Sequence, residues 1–250
     1  MDDDLPDAIP AATLILMRPA AAAGPPEILM LERAETMAFA AGALVFPGGR
    51  IDPDDHATAA RFPHIPDAAA RIAAIRETIE ETGVAPALRP EPNAEALRQA
   101  IAAGEPFAPL LDRMGLSLDP GALTPFARWC PNFREARRFD TLFYLAEAPS
   151  GEALHSADET ETVHTFWATA AEVLADIEAG RAKAIFPTRR NLERLATFAS
   201  LAEARADAAR YPIEKITPWV EERGGARFVC IPEGIGYPVT AEPYASARRR

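Results

Sequence analysis

Cysteine is scarce: Cys130 and Cys230 are the only two in 250 residues. They lie far apart and without histidines at ligand spacing, so neither a disulfide framework nor a zinc site is expected. No run of eighteen apolar residues occurs, which leaves no candidate transmembrane helix. The start, Met1-Asp2-Asp3-Asp4-Leu5-Pro6, lacks the basic patch and apolar stretch of a signal peptide, and the end lacks a Ser-Lys-Leu type address, so a cytoplasmic setting is expected. Positive charge is also short, with 26 Lys and Arg against 37 Asp and Glu and a formal net charge of -11. A phosphate backbone is bound by Lys and Arg that replace counterions, so no nucleic-acid partner is expected, and no membrane partner either. The Arg248-Arg249-Arg250 end reads as a solvated tail.

What is present is an ordinary folding composition, 48% apolar and 25% charged, enough for a sizeable core. Residues 11–17 and 27–32 are apolar and partly β-branched runs on either side of Gly24-Pro25-Pro26, and they predict two neighbouring strands. A third short run, Ala43-Leu44-Val45-Phe46, stops at Pro47-Gly48-Gly49, where a tight loop must begin. The pattern predicts a helix over 68–82, capped by Asp67 and closed by Gly83. Residues 86–128 hold Pro, Gly and short helical patterns without strand-like alternation, and read as a helical insertion. Strands are predicted over 138–146 and 162–168, helices over 170–179 and 188–206, and a Pro-rich tail wrapping the surface from about 207. With no internal repeat and no long linker, one α/β domain over 1–250 is expected.

The helix over 68–82 is the chemically informative element. At roughly 100° per residue, Glu77, Glu80 and Glu81 share one third of its circumference, and Ile72, Ile75 and Ile79 lie nearly opposite. Like charges three and four residues apart repel, by about a few tenths of a kcal/mol per pair. A Glu-rich face is most often simply solvated. Three converging carboxylates also suit a hard cation such as Mg²⁺ or Mn²⁺, and a metal is what an acidic protein needs in order to act on an anionic phosphate compound. The preceding strand, the Phe-Pro-Gly-Gly turn, the acidic Asp52, Asp54 and Asp55, and Arg76 ahead of the carboxylates make the joint pattern far more specific than the glutamates alone.

In this arrangement the chain resembles the Nudix hydrolases. Their box reads Gly, five residues, Glu, seven residues, then Arg-Glu-aliphatic-any-Glu-Glu-any-Gly-aliphatic. Gly49 stands at the first Gly, and Arg76, Glu77, Glu80, Glu81, Gly83 and Val84 match the second half. Three positions depart from it: Asp55 replaces the first Glu, Thr78 replaces an aliphatic residue, and twenty residues separate Asp55 from Arg76. A longer match narrows the branch. Leu31-Glu32-Arg33-Ala34-Glu35-Thr36-Met37 leading into Gly42 to Asp52 is similar to the coenzyme A diphosphatases, as are the strand from Arg137 to Tyr144 and the acidic Asp158-Glu159-Thr160-Glu161 before Trp167.

The resemblance implies an α/β/α sandwich with a mixed sheet and a helical insertion. It also implies Mg²⁺- or Mn²⁺-assisted hydrolysis of a diphosphate linked to a nucleoside, in this branch coenzyme A or acyl-coenzyme A. Glu77, Glu80 and Glu81 become the expected metal ligands and Arg76 an orienting partner. The general base is left among Glu77, Glu159 and Glu161. Arg33 and Arg50 suit substrate phosphates, with Gly48 and Gly49 lining the loop. For each arginine a surface salt bridge is an equal expectation. Phe46 and Trp167 could stack on a base, although aromatics at strand ends are more often core. A homodimer fits the family. Two alternatives stand beside this: the same chemistry on ADP-ribose, dinucleotides or nucleoside triphosphates, and a Nudix-like module that binds a nucleotide and regulates without hydrolysis.

Overall fold

Residues 9–18 are apolar at both odd and even positions, the pattern of a strand covered on both faces. In the computed structural model, which describes residues 7–20, 24–33, 42–132, 138–149 and 164–247, they form β1 (Ile9–Arg18) at the centre of a mixed eight-stranded sheet. After it come β2 (Glu27–Glu32), β3 (Leu44–Val45) and β4 (Gly48–Arg50), then α1 (Pro53–Ala59) and α2 (Ala68–Thr82). The next stretch holds β5 (Leu88–Arg89), α3 (Ala94–Ala102), α4 (Phe107–Met114), β6 (Ser117–Leu118) and β7 (Thr124–Trp129). The chain continues through β8 (Phe139–Glu147), β9 (His164–Thr169), α5 (Ala170–Glu178), α6 (Phe186–Leu195) and α7 (Leu201–Ala208). It closes with β10 (Lys215–Ile216), β11 (Trp219–Arg223), β12 (Ala226–Cys230), β13 (Ala241–Pro243) and the short α8 (Tyr244–Ala247). The strand order is β10-β7-β8-β1-β2-β3, with β4 also on β1 and β9 also on β2. The β1–β8 pair is parallel and the β1–β2 pair antiparallel.

Alternation along β1 divides the core in two. Ala12, Leu14 and Leu16 face one side with Leu29 and Tyr144, where Ile72, Ile75 and Ile79 of α2 cover them. Ile15 and Met17 face the other with Ile28 and Met30, against Val173, Ile177, Leu192 and Leu195 of α5 and α6. The α/β/α sandwich is therefore present. Among the described residues no helix is long and apolar enough to cross a membrane.

The predicted bounds of α2 hold to the residue, with Gly83 closing it at φ 70°. Asp67 sits at the N-cap but in the left-handed region, and its side chain accepts no capping hydrogen bond. Three expectations change. Residues 86–128 are not purely helical: β5 and β6 pair with each other, and Thr124 onward already belongs to the main sheet as β7. Pro125 and a register shift between Pro125 and Ala127 hide that strand from its own pattern, and pairing with β8 creates it. The helix predicted over 188–206 is two, because Ser200 starts a new one by accepting from Glu203 N–H at 3.2 Å. The tail is not a surface wrap. It supplies β10 to the main sheet and a three-stranded sheet of its own, and Tyr237 enters the core, accepting from Trp129 Nε1 at 3.0 Å and donating to Asn191 Oδ1 at 2.7 Å.

Candidate active site

The turn after β3 is held down at both ends. Leu14 N–H donates to Pro47 O at 2.9 Å, and Gly48 N–H donates to Glu81 Oε2 at 2.9 Å. Neither glycine tolerates a side chain here. A Cβ on Gly48 would run into Ala12 O and Thr13, and one on Gly49 would overlap the Glu77 carboxylate. The two glycines thus let β4 lie against β1 on one side and let a glutamate of α2 lie against the loop on the other.

Arg76 gathers the rest. Its guanidinium is nearly buried, 8% exposed. It donates through Nε and Nη2 to the two oxygens of Asp55 at 3.0 and 2.9 Å. Nη1 donates to Glu77 Oε1 at 2.9 Å and Glu80 Oε1 at 2.8 Å, and Nη2 also to Arg50 O at 3.1 Å. Asp55 is fully buried, and its Oδ2 also accepts Asp52 N–H at 2.8 Å. Asp55 therefore anchors Arg76, a pairing that its spacing along the chain does not show. The shortened side chain still reaches Arg76 because α1 brings it there across the long spacer.

That spacer and the insertion account for each other. Asp54 Oδ2 accepts Phe107 N–H at 2.7 Å, and Arg61 pairs with Asp112 at 2.7 Å, so the enlarged box loop docks on α4. Arg71 of α2 donates to Pro66 O on the loop side at 2.9 Å and to Pro120 O on the insertion side at 3.1 Å. Thr78, at an aliphatic position of the box, is fully buried and donates to Ala74 O at 2.7 Å, so its hydroxyl is satisfied inside the helix.

Electrostatics single out two of the three glutamates. Burial pushes the Glu77 carboxyl up to about 7, against the pull of Arg76. Burial pushes Glu81 up to about 8, with Gly48 N–H and Arg33 opposing and Glu77 and Glu80 adding to it. Burial works against the charge on Arg76, yet Asp55, Glu77 and Glu80 outweigh it and hold the arginine fully charged. Among the described residues no three of His, Cys, Asp and Glu are already grouped as a metal cage: Glu77 and Glu80 are drawn to Arg76, and Glu81 to the loop. The donor chemistry nevertheless fits a hard divalent ion. Hard oxygen donors are what such an ion takes, and two carboxyls whose charge burial disfavours would ionise more readily in its field.

Of the other predicted site residues, Arg33 follows β2 with its Nε buried and unpartnered, and Arg50 is exposed on β4. Phe46 does not offer a face for stacking: it is 4% exposed, with its ring edge-on to Phe143 at 6.5 Å. It belongs to the core because β3 points it to the α5–α6 side, away from the glutamates. Glu159 and Glu161 lie outside the described residues.

No family model matches the chain. It is 26% identical to the acyl-coenzyme A diphosphatase of Gallus gallus over 254 aligned positions, covering 78% of this chain and 67% of that protein. Its fold is similar to the crystal structure of a Nudix hydrolase from Alicyclobacillus acidocaldarius, with a TM-score of 0.69 and 29% identity over 80% of this chain and 96% of that one. By this likeness the chain has the fold of the Nudix hydrolases, and its sequence resembles an acyl-coenzyme A diphosphatase.

Proposed function

We propose that this hydrolase cleaves the diphosphate of coenzyme A or an acyl-coenzyme A, giving a phosphopantetheine part and an adenosine bisphosphate part. The observation that carries it is the meeting of Glu77, Glu80 and Glu81 with the Gly48-Gly49 loop around the buried Arg76. Glu77, Glu80 and Glu81 would hold Mg²⁺ or Mn²⁺. Such an ion, when bound, neutralises diphosphate charge, polarises phosphorus and lowers the pKa of water. Arg76 orients Glu77 and Glu80, itself held by Asp55. Arg33 and Arg50 supply positive charge for the phosphates, which an otherwise acidic chain lacks. A carboxylate takes the proton of the attacking water; Glu77 is one candidate, and Glu159 and Glu161 are the others.

The choice of coenzyme A rests on the resemblance to the Gallus gallus protein and on the matching segment around Arg33. The purified chain is incubated with Mg²⁺ and a panel of coenzyme A, acyl-coenzyme A, ADP-ribose, a dinucleotide and nucleoside triphosphates. Preferred turnover of coenzyme A is expected. Preferred turnover of ADP-ribose removes that choice, and Glu80→Gln at full activity removes the metal assignment. No turnover on the whole panel favours a nucleotide-binding module.

A further inference from the structure

Buried polar groups in folded proteins are paired almost without exception, yet three in one region of this sheet are not. Arg33 Nε, Thr165 Oγ1 and Trp167 Nε1 are buried without a hydrogen-bond partner, and Thr165 is only 8% exposed. Across the β2–β9 ladder Leu31 faces Thr165 and Leu29 faces Trp167. Leu29 and Trp167 pack on the α2 side of the sheet, so Thr165, two residues from Trp167, takes that side as well. Arg33, two beyond Leu31, continues the row: its N–H still bonds across to Ala43 O at 3.1 Å, and its charge acts on Glu81. Two same-face steps make the row about 13 Å long. It starts beside the carboxylate site and runs away from it.

The donors decide what fits. An indole N–H and a guanidinium N–H only donate, and the threonine hydroxyl donates or accepts. One indole face is covered by the Arg18 guanidinium at 4.3 Å, held there by Glu27 at 2.7 Å, and the ring packs against the α2-side core. The polar group that Trp167 offers is its N–H edge. Phosphopantetheine carries as many amide donors as acceptors along its chain. An adenosine phosphate carries anionic oxygens and several acceptor ring nitrogens, with the exocyclic amine the only donor on its base, so acceptors predominate on it.

We propose that Arg33, Thr165 and Trp167 form the subsite for the nucleoside phosphate half of the substrate, with Arg33 at the phosphate nearest the scissile bond and Thr165 and Trp167 on acceptor atoms farther out. The assignment rests on the diphosphatase function proposed above. In the free protein the row leaves buried donors unpaired, and the ligand pairs them.

The test is calorimetric binding of adenosine 3′,5′-bisphosphate, and separately of 4′-phosphopantetheine, to the full chain and to Thr165→Val and Trp167→Phe. Thr165→Val removes the hydroxyl and keeps the shape, whereas Trp167→Phe removes the indole N–H together with part of a ring that packs on the core. Affinity for the bisphosphate should fall about fivefold in each, the size of one neutral hydrogen bond. Affinity for phosphopantetheine should hold, and the ligand-free melting temperature of Thr165→Val should stay level or rise. Unchanged bisphosphate affinity, an equal loss toward phosphopantetheine, or no bisphosphate binding by the parent chain overturns the subsite. Coenzyme A turnover is assayed in parallel. Bisphosphate binding that depends on both residues without turnover defeats the diphosphatase function alone, and turnover with binding indifferent to both defeats the subsite alone.

Discussion

Asp55 and Arg76 meet through two parallel hydrogen bonds of 3.0 and 2.9 Å, the aspartate fully buried and the guanidinium nearly so. An arginine fork on a carboxylate is among the strongest and most directional of side-chain pairs. Because the same guanidinium also holds Glu77 and Glu80, the aspartate sets their position without touching them.

Removing that aspartate leaves a buried cation only partly compensated. Asp55→Ala should cost about 3 kcal/mol of folding stability, the scale for breaking a buried pair from one side, and should lower kcat more than it raises KM. Denaturant unfolding followed alongside steady-state kinetics checks both; a variant of parental stability would mean that Glu77 and Glu80 suffice to compensate Arg76.

Gly49→Ala puts a methyl group where the Glu77 carboxylate now lies. The carboxylate must move, so kcat/KM should drop at least tenfold while circular dichroism and the cooperativity of melting are kept. Retained activity would show that Glu77 works from another position.

Glu77 and Glu81 give a pH dependence whose sign is fixed by burial. Their carboxyls rise from 4.5 to about 7 and about 8 in the folded protein without metal. A raised carboxyl holds its proton more tightly folded than unfolded, so the metal-free protein loses stability as pH climbs from about 4.5 through 8. A divalent ion must displace those protons, so it should bind more tightly at pH 8 than at pH 6. Melting temperatures with a chelator and with Mn²⁺ across this range measure both effects. A metal-free melting temperature that is flat with pH, or a Mn²⁺ shift equal at both ends, contradicts the prediction.

Tyr237 joins Trp129 and Asn191 in the core through its hydroxyl. Tyr237→Phe strands both partners and should cost about 2 kcal/mol, within the range for leaving buried polar groups unpaired. A neutral outcome in thermal unfolding would mean that the tail is held by its apolar contacts alone.

How much was legible beforehand depended on how local each signal was. The helix over 68–82, its glutamate and isoleucine faces and the Gly48-Gly49 turn follow from spacing and from glycine's lack of a side chain, and the structure keeps them. Strand β7 was missed because Pro125 and a register shift break its alternation. The tail is not legible because its strands are short and take shape through distant pairing: β10 adds to β7, Glu242 of β13 pairs with Arg190, and Tyr237 bonds Trp129 and Asn191.

The sequence by itself determined the carboxylate helix, its partner loop and the two-sided core strand, since each depends on residues within a turn or a strand of one another. Only the tertiary structure decided that Asp55 reaches Arg76 over twenty intervening residues. It also decided that the long spacer and the insertion dock on each other through Asp54 and Phe107, that Phe46 turns into the core, and that Thr165 and Trp167 lie in one row with Arg33. Those relations join distant segments, and nothing in the spacing along the chain encodes a distance that is closed by packing two sheet faces against their helices.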